Sequence, residues 1–201
     1  MSVYQLKSRF QNLLRPLVVK LASAGVTANQ VTVTAALVSI VLGAFLGWSG
    51  NAIWFALVPI WLFLRMALNA VDGMLAREHG QKSVLGAYLN EIGDVISDAA
   101  LYAPFAIIAP FSAAWIFAII FIATLTEFIG VTAASLGSSR RYDGPMGKSD
   151  RAVVFGVLGA WVAIDGMLPQ WMFWLQPILC ALLILTVVKR IRNAMKEAPN
   201  S

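Results

Sequence analysis

Between Asn69 and Asp98 the chain reads NAVDGMLAREHGQKSVLGAYLNEIGDVISD, and the side chains able to do chemistry gather here. Asn69, Asp72 and Ala76 are spaced by three and four residues, and Gly86, Asn90, Asp94 and Asp98 recur at every fourth position. Residues three, four and seven apart share one face of an α-helix, so each set forms a polar stripe. An ionised carboxylate in hydrocarbon is expensive unless paired or solvated, and neighbouring carboxylates repel unless a cation lies between them. Hard oxygen ligands of this type suit Mg²⁺, Mn²⁺ or Ca²⁺. The same acids would also serve an ion or proton path, or structural pairs with Arg65, Arg77 or Arg140. The single histidine, His79, and the single cysteine, Cys180, offer no cluster suited to zinc. Gly73 follows Asp72 directly and Gly86 precedes Asn90 by one turn. Small residues there let helices approach, or leave room for a flat ligand group.

The elements that must hold these stripes are membrane helices. Of 201 residues, 59% are hydrophobic and 12% charged, where a soluble domain carries about a quarter charged residues. The expectation is a single all-α integral membrane domain over 1–201, with spans near 30–48, 51–71, 86–109, 112–135, 151–168 and 170–188. These make a six-transmembrane-helix bundle over 26–190. Residues 1–25 alternate basic and apolar groups and read as an N-terminal interfacial amphipathic helix, in which Pro16 is a potential kink. Residues 191–201 read as a cytoplasmic tail.

Charge orients the bundle. Arg65 is the one Lys or Arg in the body of an expected span; Arg151 is the first residue of another, and the other thirteen of the fifteen lie in the N-terminal segment, the two long polar turns or the stretch after the last span. An even number of spans puts all these basic segments on one side, which the positive-inside rule makes cytoplasmic. The net charge of +5 is thus read as topology and anionic-lipid contact, with no nucleic-acid partner. Trp48, Trp54, Trp115 and Trp171 mark the opposite ends, and Glu127, within a span, must pair or line a cavity.

The stretch Asn69-x-x-Asp72-Gly73-x-x-Ala76-Arg77, eight residues, then Gly86-x-x-x-Asn90-x-x-x-Asp94 resembles the signature D-x-x-D-G-x-x-A-R-x8-G-x3-D-x3-D of the CDP-alcohol phosphotransferase family. Every spacing fits. GVTANQVT at 25–32 is similar to the T-P-N-x-x-T that often precedes that family's first span, with Ala28 in place of Pro. The resemblance implies transfer of a substituted phosphate from a CDP-linked donor, commonly CDP-diacylglycerol, to a small alcohol, with release of CMP. It implies Mg²⁺ or Mn²⁺ held by Asp72, Asp94 and the residues at Asn69 and Asn90, with Asp94 as the catalytic base. Gly73, Ala76 and Gly86 would make room for the nucleotide, and Arg77 would bind donor phosphate. It further implies a homodimer in a bacterial inner membrane, with active site and termini cytoplasmic.

The chain departs from the signature at Asn69 and Asn90, where the family has aspartate. An amide oxygen is a weaker metal ligand than a carboxylate. Three accounts follow: metal held by Asp72 and Asp94 with help from Glu91 or Asp98; one metal instead of two; or a non-catalytic relative that binds nucleotide or lipid. Asp98 lies on the metal-bearing face one turn further on. Arg140, Arg141, Lys148 and Arg151 cluster in SRRYDGPMGKSDR, which resembles a Gly-Lys segment of phosphatidylglycerophosphate-synthase-like members. They suit a phosphorylated acceptor such as glycerol 3-phosphate or inositol phosphate, or else reflect the ordinary cytoplasmic excess of cations. A small transporter is the rival class, but its polar groups should run across the bilayer in repeated halves.

Overall fold

The computed structural model describes residues 3–198, with side chains from residue 9 onward. The side chains of Tyr4 and Lys7 in the expected interfacial stripe, and the last three residues of the expected tail, fall outside what is described. All the regular structure described is helical: α1 (Val3–Ser23), α2 (Ala28–Ser49), α3 (Leu57–Glu78), α4 (Val84–Tyr102), α5 (Ala113–Ser135), α6 (Lys148–Asp165) and α7 (Leu175–Glu197). Short 3₁₀ turns at 52–56, 103–107 and 170–174 precede α3, follow α4 and precede α7.

Four segments are long and apolar enough to cross a membrane: Ala28–Ser49, Ala52–Glu78, Ala113–Ser135 and Gln170–Glu197. These make the chain an integral membrane protein. Helices α4 and α6, expected as the third and fifth spans, fall short of that measure by composition. They carry the acids Glu91, Asp94 and Asp98, and Lys148, Asp150 and Arg151.

Local signals set where the helices begin. Thr27 and Gln30 form a capping box at α2, with Thr27 Oγ1 accepting from the Gln30 N–H at 3.2 Å and Gln30 Oε1 accepting from the Thr27 N–H at 2.9 Å. Ser83 caps α4 by accepting from the Gly86 N–H at 2.9 Å. Asp150 accepts the Gly147 N–H at the start of α6 at 2.9 Å. At the far end of α2, Gly50 takes the left-handed conformation (φ 60°) that terminates the helix.

Two boundaries differ from expectation. Helix α3 does not stop near 71 but continues through the motif to Glu78, so Asn69, Asp72, Gly73, Ala76 and Arg77 all stand on one rigid rod. Helix α7 runs to Glu197, so the segment from 191 begins as helix. Lys, Arg and Met are good helix formers, and Glu197 anchors the end by accepting from Ser139 N–H at 3.0 Å and Ser139 Oγ at 2.8 Å. Pro16 is accommodated within the helix α1.

The packing brings α2, α3, α4 and α6 close. Gly43 of α2 meets the backbone of Ala100 on α4 so tightly that a Cβ would overlap the Ala100 carbonyl. Gly159 of α6 lies under Val58 and Phe55, where a Cβ would sit 2.8 Å from Val58 Cβ. Tyr102 of α4 stacks on Phe155 of α6 at 3.8 Å, and Phe105 meets Phe55 and Phe155 edge-on. Helix α1 packs Val18 with Val71, Met74 and Leu75 on the motif-bearing end of α3.

Candidate functional site

A cavity of about 500 Å³ opens where α3 and α4 meet the start of α2. Asn69, Asp72, Gly73, Ala76 and Arg77 line it from α3, and Gly86, Asn90 and Glu91 from α4. The two polar stripes therefore do face one another. The polar turn between α3 and α4 closes one side. There Gln81 Oε1 accepts the Ala28 N–H at 2.7 Å, which fastens the turn beneath α2.

Asp72 is buried. Its Oδ2 accepts from Thr32 Oγ1 at 2.7 Å. Thr32 was not among the expected site residues, although it is the last residue of the stretch GVTANQVT, and that stretch was the signal available for it. At Gly73 the missing Cβ leaves room for Arg77, whose guanidinium nitrogens would lie 3.0 and 3.1 Å from an added methyl. At Gly86 an added Cβ would sit 2.7 Å from Asn29 Oδ1, so Asn29 uses that space. Arg77 and His79 are exposed, His79 as the last-turn cap of α3.

Asp94 lies beside this cavity, held on one oxygen. Its Oδ1 receives Lys148 Nζ at 2.5 Å, Asn69 Nδ2 at 3.2 Å and Arg65 NH2 at 3.3 Å. Among the described residues, Oδ2 of Asp94 accepts no hydrogen bond. A second, smaller cavity of about 140 Å³ adjoins it, lined by Arg65, Asn69, Lys148 and Ser149 with Leu62, Met66 and Ala152.

Asp98, expected among the metal ligands, is not available for that role. Its Oδ1 takes Arg65 NH1 at 2.5 Å, and its Oδ2 takes Arg151 NH2 at 2.9 Å, both pairs being buried. One turn of depth moves the carboxylate out of the cavity and between two guanidiniums. With two guanidiniums already donating to its oxygens, a further cation at Asp98 would have to displace an arginine or sit against its charge.

The four expected acceptor cations are separated. Arg151 is buried between Asp98 and Glu127, the latter at 3.2 Å. Arg140 pairs with Glu91, its NH2 at 2.8 Å from Oε2, lies 4.8 Å over the Tyr142 ring and lines the large cavity. Arg141 turns to Asp143 at 2.8 Å and to Glu197, and its guanidinium holds the Asp143 carboxyl below the ordinary carboxylate range. Lys148 serves Asp94. Glu91 is thus engaged and no substitute ligand. Glu127 does pair, with Arg151 and also with Arg190 at 3.7 Å and Arg140 at 4.0 Å.

Among the described residues, no three Asp, Glu, His or Cys side chains converge as a metal-binding group. The hard oxygens open to a divalent ion are the carboxylates of Asp72 and Asp94 and the amide oxygens of Asn69 and Asn90. As a donor set these fit Mg²⁺ or Mn²⁺ with water completing the shell.

The sequence profile of the CDP-alcohol phosphatidyltransferase family matches residues 25–188, and the chain belongs to that family of transferases. It is 48% identical over 198 residues to the inner membrane protein YnbA of Escherichia coli K12, covering 97% of each chain. It is 26% identical over 201 residues to a phosphatidylinositol phosphate synthase of Mycobacteroides abscessus, covering 97% of this chain and 89% of that one. Among solved structures it is similar to the phosphatidylinositol phosphate synthase PgsA1 of Mycobacterium tuberculosis. With CDP-DAG bound, PgsA1 aligns with a TM-score of 0.75 at 20% identity, covering 92% of this chain and 94% of that one. In complex with manganese and citrate it gives the same TM-score, covering 92% and 90%. At that identity the likeness speaks for the fold.

Proposed function

We propose that this chain moves a phosphatidyl group from CDP-diacylglycerol to a phosphorylated alcohol, such as glycerol 3-phosphate or inositol phosphate, and releases CMP. The observation that carries this reading is the single cavity in which Asp72, Gly73, Arg77, Gly86 and Asn90 meet from two helices. Phosphoryl transfer needs mainly positioning and neutralisation of phosphate charge, which such a cavity can give.

The acceptor hydroxyl oxygen attacks the phosphorus that carries the diacylglycerol. A P–O bond forms there as the bond to the CMP oxygen breaks and its electron pair leaves on CMP. The hydroxyl proton passes to Asp94 Oδ2, because Oδ1 is held by Lys148, Asn69 and Arg65. Asp72, Asp94, Asn69 and Asn90 would hold Mg²⁺ or Mn²⁺, which supplies charge neutralisation at the diphosphate. Thr32 fixes the Asp72 carboxylate. Arg77 at the rim binds donor phosphate, with Gly73, Ala76 and Gly86 framing the nucleotide. Arg140, at the cavity wall over Tyr142, meets the acceptor's phosphate. The chain works as six spans in one domain, with cavity and termini cytoplasmic, α1 in the interface, and as a homodimer. The basic residues at that end of the bundle support this orientation.

Purified protein with Mg²⁺ or Mn²⁺, CDP-diacylglycerol and a panel of phosphorylated alcohols should release CMP. Arg140→Ala should raise KM for the phosphorylated acceptor with little change in kcat; an unchanged KM removes Arg140 from the acceptor site. Asn69 and Asn90 favour a second reading, a relative that binds the donor without turnover. Donor binding with no CMP release under any divalent ion, and release restored by Asn69→Asp with Asn90→Asp, would establish it.

A further inference from the structure

Asn69 and Asn90 remove two negative charges from the motif, and the geometry around Asp94 shows what the first of them does. In an aspartate pair bridged by a metal, the cation sits between two carboxylates. Here the Asn69 side chain presents its N–H to Asp94 Oδ1 at 3.2 Å, so the α3–α4 bridge is a hydrogen bond and needs no ion between its ends. An aspartate at 69 would put a second carboxylate against that oxygen, which only a cation could hold. The cation at that oxygen already belongs to the chain. Lys148 Nζ lies 2.5 Å from Asp94 Oδ1 and Arg65 NH2 at 3.3 Å. Lys148 is the first residue of α6, where its backbone is fixed by the Gly147–Asp150 cap. The ammonium is therefore held at this spot by a helix start and not by a loose loop.

We propose that the site takes a single divalent ion, seated at Asp72, and that the Lys148 ammonium with the Asn69 amide supplies at Asp94 the bridging positive charge a second ion would give. This rests on the metal-dependent reading above and sets its stoichiometry. The charges are consistent with it: Asp94 already has the Lys148 and Arg65 cations against it, which leaves Asp72 as the carboxylate facing the divalent ion. Arg77 then remains as the cavity's fixed cation for the donor diphosphate.

The count of Mn²⁺ bound by the intact protein in detergent or nanodiscs tests this without reference to turnover. Titration by calorimetry, with EPR of the bound Mn²⁺, should give one ion per chain and a spectrum free of spin coupling between neighbouring ions. The triple variant Asn69→Asp, Asn90→Asp, Lys148→Met should take up a second ion and show that coupling. Lys148→Met alone should bind its one Mn²⁺ about tenfold more tightly, since a neighbouring positive charge is gone, whereas Lys148→Arg should keep the wild-type affinity. Two coupled ions in the wild type would overturn the proposal while leaving the metal-dependent reading intact. An unchanged Mn²⁺ affinity in Lys148→Met would also overturn it. No Mn²⁺ bound at all would overturn both. The wild-type count needs no variant, so a variant that fails to fold does not blunt the test.

Discussion

Asp72 and Asp98 are both buried acids on neighbouring helices, yet their surroundings give them opposite tasks. Asp72 has a neutral hydroxyl, Thr32, on one oxygen and a cavity on its other side. It can therefore meet a cation from outside. Asp98 is saturated by Arg65 and Arg151, so it can only hold the fold. Two different losses follow. Asp72→Asn should abolish Mn²⁺ binding and CMP release while thermal unfolding in detergent stays close to wild type. Asp98→Ala should strand two buried guanidiniums and cost about 3–5 kcal/mol of stability, seen as a markedly lowered Tm. If Asp98→Ala kept its Tm and lost Mn²⁺ instead, Asp98 would return to the metal set.

At the scale of elements, α4 is the piece whose position matters most. It carries half the motif, and its place is set by two contacts, one steric and one ionic. The steric contact is Gly43 of α2 against the Ala100 carbonyl. Gly43→Val should push α4 outward and cost about 1–3 kcal/mol, with CMP release falling more than the loss of folded protein explains. A Tm and a specific activity equal to wild type would show that this approach does not set the cavity. The ionic contact runs behind the site. Asp98 on α4 joins Arg65 on α3 and Arg151 on α6, and Arg151 passes the linkage to Glu127 on α5 and thence to Arg190 on α7. Arg190 also donates to the Thr126 and Asp143 carbonyls. Five helices are thereby tied at one depth, in a medium where an unpaired charge would be costly.

For the whole molecule, the cavity and the charged ends of α3, α6 and α7 lie toward the same end of the bundle, and Trp48 and Trp171 lie exposed near the other. In a Cys180→Ala background, Lys82→Cys should react with a membrane-impermeant maleimide only after cells are permeabilised. Met167→Cys, exposed beyond α6, should react in intact cells. The reverse pattern would invert the proposed orientation. Labelling of both from one side would remove α4 or α6 from the count of spans.

The sequence by itself determined the helical membrane class, the family and the two polar stripes. Periodicity and hydropathy are local properties, and motif spacing fixes which side chains share a helix face. It also located Glu127 as an acid in need of a partner. It did not determine which cation answers which acid. Lys148 is separated from Asp94 by more than fifty residues, and so is Arg151 from Asp98, and nothing in their local pattern distinguishes an acceptor ligand from an ion-pair partner. The choice was made by tertiary packing, where α6 brings Lys148 to the rim and Arg151 one turn deeper. In low dielectric each buried charge must meet its opposite at close range, so the helix packing decided which carboxylates stayed open to a metal and which were spent on the fold.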